Sequence, residues 1–170
     1  RIKGKEKQKM TKEKIKEMLM EKENISFEGN DIMITSGGQQ GIELITKALV
    51  NEGDTVIVEE PSFIGATNAF RSYNAKLVGV PVEKDGISPE ALEKVIAENE
   101  NIKILYVIPT FQNPSGETMS LEKRKAVLEI AKKNNILVIE DNPYGELTFD
   151  GNKIPTIKSM DDGLNVAYSG

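Results

Sequence analysis

The sequence contains no cysteine, no histidine and no tryptophan. Lack of cysteine rules out disulfides. Lack of both cysteine and histidine excludes zinc sites of the usual kind and any Ser–His or Cys–His catalytic pair. Acid–base chemistry is left to Lys, Tyr, Asp and Glu, or to a cofactor. Long apolar runs are missing too. None approaches the roughly 20 residues of a membrane-spanning helix, and the Lys-rich opening residues lack the apolar stretch of a signal peptide. These features lead to the expectation of a cytoplasmic protein without membrane contact.

What is present suits a globular protein. The chain has 170 residues, 38% hydrophobic and 29% charged, enough for one domain with its own core. A formal net charge of −5 argues against nucleic acid as the main partner. The basic segment from Arg1 to Lys16 reads as a solvated helix face.

Apolar spacing predicts a helix over 11–23, with Ile15, Met18, Leu19 and Lys22 in register and Thr11 as its cap. From there short strands and longer helices alternate. Strands are predicted at 32–35, 55–58, 76–80, 104–108, 136–139 and 166–168, rich in Ile and Val and short of polar alternation, as in strands buried on both faces. Helices are predicted at about 39–50, 63–72, 89–99 and 120–133. Ser88-Pro89 and Ser120 supply helix starts, and Asp85-Gly86 marks a turn. The rhythm implies an α/β fold with a mainly parallel sheet.

Three motifs fall just beyond predicted strands, where open parallel sheets bind ligands. Thr35-Ser36-Gly37-Gly38-Gln39-Gln40-Gly41 joins a strand to a helix. Its small residues let backbone N–H groups approach an anion at the helix start, with Gly38 and Gln39 the candidate phosphate contacts. The segment is neither a dinucleotide fingerprint nor a P-loop; an empty tight turn is the plain alternative. Phe111-Gln112-Asn113-Pro114-Ser115-Gly116 offers Asn113 as a donor, its approach set by Pro114. Asp141-Asn142-Pro143-Tyr144 offers a carboxylate to pair with a pyridinium nitrogen and a nearby phenol. Phe63, after Glu60-Pro61-Ser62, has a ring able to stack on a flat cofactor. Taken singly, each has an ordinary reading as turn, helix cap or core residue. Lys103, Lys153 and Lys158 read as solvated surface.

Together these motifs resemble the large domain of pyridoxal-phosphate enzymes of the aspartate aminotransferase type (class I/II, fold type I). The resemblance runs from about Asp31 to Gly170 and is strongest over Ile108–Gly116 and Val138–Tyr144. Within that family it is nearest to the aromatic and 2-aminoadipate branch. The resemblance implies a three-layer α/β/α sandwich, with pyridoxal 5'-phosphate as cofactor. Gly38 and Gln39 would meet the phosphate, Phe63 would stack on the ring, Asn113 and Tyr144 would bind the phenolic oxygen, and Asp141 would bind the pyridine nitrogen. It implies amino acid and 2-oxo acid substrates and a homodimer. No metal is implied. It places residues 1–24 in an N-terminal helical segment and 25–170 in a partial large domain. The Schiff-base lysine would lie beyond Gly170, so no catalytic residue is assigned here and the chain alone should be inactive. It also leaves out the small C-terminal domain and an antiparallel strand that would flank residues 32–35. An effector-sensing domain of a transcription regulator and a lyase or decarboxylase on the same cofactor are the competing readings.

Overall fold

Ile and Val cluster in runs too short for helices, and in the computed structural model these runs pair into one sheet. Residues 12–147, 153–162 and 165–170 are described. The strands are β1 (Thr55–Glu60), β2 (Lys76–Glu83), β3 (Gly86–Ile87), β4 (Ile102–Val107), β5 (Leu137–Asp141) and β6 (Val166–Ser169). The helices are α1 (Lys12–Glu23), α2 (Gly38–Leu49), α3 (Ile64–Ser72), α4 (Pro89–Glu98), α5 (Leu121–Lys133) and the short α6 (Ile157–Met160). The sheet order is β3-β2-β1-β4-β5-β6. Every pairing is parallel except β2 with β3.

Strand side chains alternate between two cores. Val56, Val58, Ile104, Tyr106 and Ile139 meet Ile42 of α2 and Ala66, Ala69 and Phe70 of α3. Ile57, Leu105, Val107 and Val138 face the other way, onto Leu92 of α4 and Val127, Leu128 and Ala131 of α5. Both faces are covered, which gives the three-layer α/β/α sandwich and explains the near-continuous apolar runs. The chain winds from β1 to β2 on one side, then crosses to β4 on the other side of β1. The order therefore reverses between β1 and β4, and the carboxyl ends of four parallel strands beside that point share one edge.

Local chemistry sets the boundaries. Ser88 Oγ accepts from the Ala91 N–H, with Pro89 in the first helical position, and Ser120 Oγ accepts from the Lys123 N–H. The Lys84-Asp85 turn closes the β2–β3 hairpin onto Gly86, whose φ of +107° suits glycine and whose missing Cβ leaves room for Met119. No described helix is long and apolar enough to cross a membrane.

Some expectations change. Residues 32–35 form no strand, and Met33 and Ile34 stand 71% and 57% exposed. A strand exists only through ladder partners, and among the described residues none runs beside this segment. The hairpin strand β3 and the short α6 were too brief to show periodicity. The helix over 11–23 is present as α1, with Ile15, Met18 and Leu19 half-buried; its expected cap, Thr11, lies outside the described residues. Of the basic opening segment, Lys12 and Lys16 reach Asp31. Lys158 is not solvated surface: it is buried, donating to Asn30 Oδ1 and pairing with Asp161.

Arg124 on α5 is the largest fully buried side chain. Its guanidinium donates to the carbonyls of Pro109, Met119 and Pro155 and to Thr110 Oγ1. It therefore ties the segment after β4 to the segment before α6. Arg124→Ala would strand those acceptors and is expected to destabilise the protein by about 3 kcal/mol. Arg124→Lys, lacking the planar fork, should recover little of that loss. Urea unfolding midpoints of the two variants provide the check.

Candidate cofactor site

β5 ends in two carboxylates that the strand pleat sends to opposite faces. Glu140 shares the face of Val138, and Asp141 that of Ile139. Glu140 is buried and accepts from the backbone N–H groups of Ile157 and Lys158 at 2.8 and 2.7 Å. Burial nonetheless pushes it up to about 7.

Asp141 lies on the α2–α3 side, 7% exposed. Its Oδ2 accepts from the Tyr106 hydroxyl at 2.7 Å. Burial raises Asp141 above the usual carboxylate range, against the opposing hydrogen bonds from Tyr106 and Ser169. Among the described residues, no Lys or Arg forms an ion pair with it. A buried carboxylate without a cation is costly, so this edge fits a cationic ligand atom.

The N-terminus of α2 closes on the same spot. Gly37 enters the helix at φ +84°, a conformation that suits glycine. A Cβ on Gly38 would come within 3.1 Å of Ser169 Oγ and 3.7 Å of Asp141 Oδ1. Gly38 thus leaves a small cradle between unpaired helix N–H groups and the strand ends. Gln39 is exposed, and its Nε2 donates to the Gly65 carbonyl at 3.1 Å. The Phe63 ring also lies against Gly65, half-buried at the start of α3. It also packs against the core that α2 and α3 share with the sheet.

Asn113 and Tyr144 line one open depression together with Phe111, Gln112, Pro114, Gly116 and Leu147. The Asn113–Pro114 bond is cis, as is Glu60–Pro61. Asp141 thus adjoins Gly38, Gln39 adjoins Phe63, and Asn113 adjoins Tyr144, all at the carboxyl edge of the sheet. Among the described residues, two buried polar atoms in the flanking loops, Ser62 Oγ and Asn142 Oδ1, lack a hydrogen-bond partner, which suits an edge that receives a polar ligand.

Several residues of this edge were not singled out by sequence reasoning. Tyr106 looked like one more apolar-strand residue. Glu59 carried a signal, a carboxylate closing the run Thr55–Val58, but no motif named it. It is 2% exposed and accepts from the Ile108 N–H and from Gln112 Nε2, both at 3.1 Å. Burial pushes it up to about 8, against those hydrogen bonds.

Tyr106→Phe removes one donor from Asp141, so its carboxyl should titrate higher still, read by carbon NMR of the labelled side chain. Glu59 binds its proton more tightly folded than unfolded, where 4.5 is the ordinary value. The stability this supplies is complete below about pH 4.5 and is lost as pH rises through about 8. Glu59→Gln should therefore gain stability relative to the native protein as pH rises from about 5 to 8. Thermal unfolding midpoints of both proteins across that range test the sign.

Comparison with known proteins bears on this geometry. Residues 6–170 match the family described as aminotransferase class I and II. Aromatic-amino-acid aminotransferase 1 of Thermococcus litoralis is 40% identical over 158 residues, covering 91% of this chain and 38% of that protein. The 2-aminoadipate transaminase of Thermus thermophilus is 36% identical over 133 residues, covering 78% of this chain and 33% of that protein. The structure of Pyrococcus horikoshii kynurenine aminotransferase, in complex with PMP, superposes with a TM-score of 0.88 at 39% identity, covering 92% of this chain and 40% of that one. The chain thus spans less than half the length of these relatives, and over that span it belongs to the class I and II aminotransferase family.

Proposed function

We propose that this chain is the cofactor-binding part of a pyridoxal-phosphate-dependent aminotransferase that moves an amino group between an L-amino acid and a 2-oxo acid. Buried Asp141, with no cationic partner among the described residues, carries the reading. A protonated pyridine nitrogen is the partner its position suits, and the PMP held by the Pyrococcus relative carries such a ring. In this reading residues 25–170 belong to part of the large domain and residues 1–24 to an N-terminal segment that carries α1 (Lys12–Glu23) and whose first eleven residues lie outside the described ones. The full-length protein is a cytoplasmic homodimer.

The residues divide the work by chemistry. Gly38 and Gln39, at the start of α2, would hold the phosphate through N–H groups and the helix dipole. Phe63 would stack on the ring. Asn113 and Tyr144, on the shared depression, would bind the phenolic oxygen. Asp141 would pair with the protonated ring nitrogen, and Tyr106 donates to Asp141 and orients it. When bound, the protonated ring supplies the electron sink for removal of the substrate Cα proton. The protein's contribution is orientation and a fixed charge at the strand ends.

In the full-length enzyme, Asp141→Ala is expected to lower kcat by about 10²-fold or more, while Lys103→Ala, on an exposed position of β4, leaves it unchanged. Steady-state transamination assays with product identification decide the matter. Equal effects of the two substitutions would sink the site assignment. Ammonia released alongside a 2-oxo acid, with no new amino acid formed from the acceptor, would indicate a lyase, and carbon dioxide with an amine would indicate a decarboxylase.

A further inference from the structure

Two of the proposed ring contacts sit on different loops: Phe63 follows β1 and Asn113 follows β4. The Gln112 side chain joins them. Its Nε2 donates to the Pro61 carbonyl at 2.8 Å, in the loop that carries Phe63, and to Glu59 Oε2 at 3.1 Å, at the end of β1. Its Oε1 accepts from the Ser115 N–H at 2.8 Å, across Asn113 and Pro114. Its backbone closes the same turn: the Gln112 N–H donates to the Glu117 carbonyl, and the Gly116 N–H donates to the Gln112 carbonyl. Glu59 Oε2 also accepts from the Ile108 N–H, where the chain leaves β4. Both side chains are buried, Glu59 at 2% and Gln112 at 3% exposure.

We propose that Glu59 and Gln112 are a positioning pair, which clamps the Phe63 loop to the Asn113 loop and so fixes the separation at which Phe63 and Asn113 meet the cofactor ring. The inference rests on the cofactor-site reading above and extends it to two buried residues whose hydrogen bonds run between the loops. The arrangement uses both amide donors of Gln112 on the β1 side and its carbonyl on the β4 side. An ordinary loop-stabilising glutamine needs no such division. A ring held between one face contact and one oxygen contact needs both surfaces set in advance, because misplacement is paid in affinity and in orientation.

The test uses the full-length protein and pyridoxal 5'-phosphate itself, with affinity read by equilibrium dialysis and ring asymmetry by circular dichroism of the bound-cofactor band. Gln112→Ala is expected to weaken cofactor binding about tenfold and to change that band. Combined with Asn113→Ala, it should weaken binding by no more than about twofold beyond Asn113→Ala alone, because the clamp then has no oxygen contact left to set against Phe63. Full additivity overturns the proposal. So does an unchanged affinity and band with only a lower unfolding temperature, since the side chain would then be merely structural. Should Gln112→Ala not fold, Gln112→Glu keeps the acceptor for Ser115 and loses both donors, and the same outcomes apply. If Asn113→Ala and Asp141→Ala both leave affinity unchanged, the cofactor-site reading itself falls, and the pair with it. Loss of affinity in those two with none at Gln112 overturns the pair alone.

Discussion

A carboxylate taken out of water must be given donors or a cation, and three are taken out of water at the carboxyl edge of this sheet. Glu59, Glu140 and Asp141 are all below one tenth exposed. Each sits at the end of a parallel strand, where ladder hydrogen bonds stop and loops begin. The desolvation cost of such groups is several kcal/mol per ion before partners are counted. The loops around the site therefore do not wander: they run where their N–H groups and side chains can serve these oxygens.

This constraint links stability to the site. Glu59 fixes the exit from β4 and the Asn113 turn through Ile108 and Gln112. Glu140 fixes the start of α6 through Ile157 and Lys158. Arg124 acts from the opposite sign, spending its donors on carbonyls of the segments that these carboxylates anchor. The result is a polar lattice beneath the loops, built of groups that are individually expensive to bury and joined by shared hydrogen bonds. A site resting on such a lattice is held from below, by strand ends, rather than by the loop residues that face the ligand.

Most of the sheet was legible because burial on both faces writes itself into sequence as runs of Ile and Val: four of the six predicted strands lie within two residues of β1, β4, β5 and β6 at each end, and a fifth starts with β2 but stops three residues short of its end. Residues 32–35 carry the same signature, yet form no ladder, since a strand is a property of two segments and sequence reads one at a time. The proposed ligand-facing residues were legible through their motifs: Gly38, Gln39, Phe63, Asn113, Asp141 and Tyr144 all reach one edge. Their supports were not. Tyr106 hides in an apolar run, and its hydroxyl gains meaning only from Asp141, 35 positions away. Gln112 and Glu59 are 53 positions apart. Lys158 looked like any surface lysine, because nothing local reveals that Asn30 and Asp161 flank it.

The adjacent pair Glu140 and Asp141 shows how one strand assigns two different tasks to similar side chains. Alternation sends Glu140 toward α5 and α6, where two backbone N–H groups receive it. The same alternation sends Asp141 toward α2 and α3, where it finds a tyrosine hydroxyl and the open N-terminus of α2. Neutral donors orient a carboxylate but do not neutralise it, so Asp141 keeps a demand for positive charge that Glu140, with its backbone donors and the nearby Arg124 charge, does not share to the same degree. A shift of one residue in the register of β5 would exchange the two, putting the aspartate against α6 and the longer glutamate beneath Gly38. The pairing of β5 with β4 and β6 therefore determines which carboxylate is left facing the cradle, and the parallel ladder, rather than any loop, sets where a cation can be held.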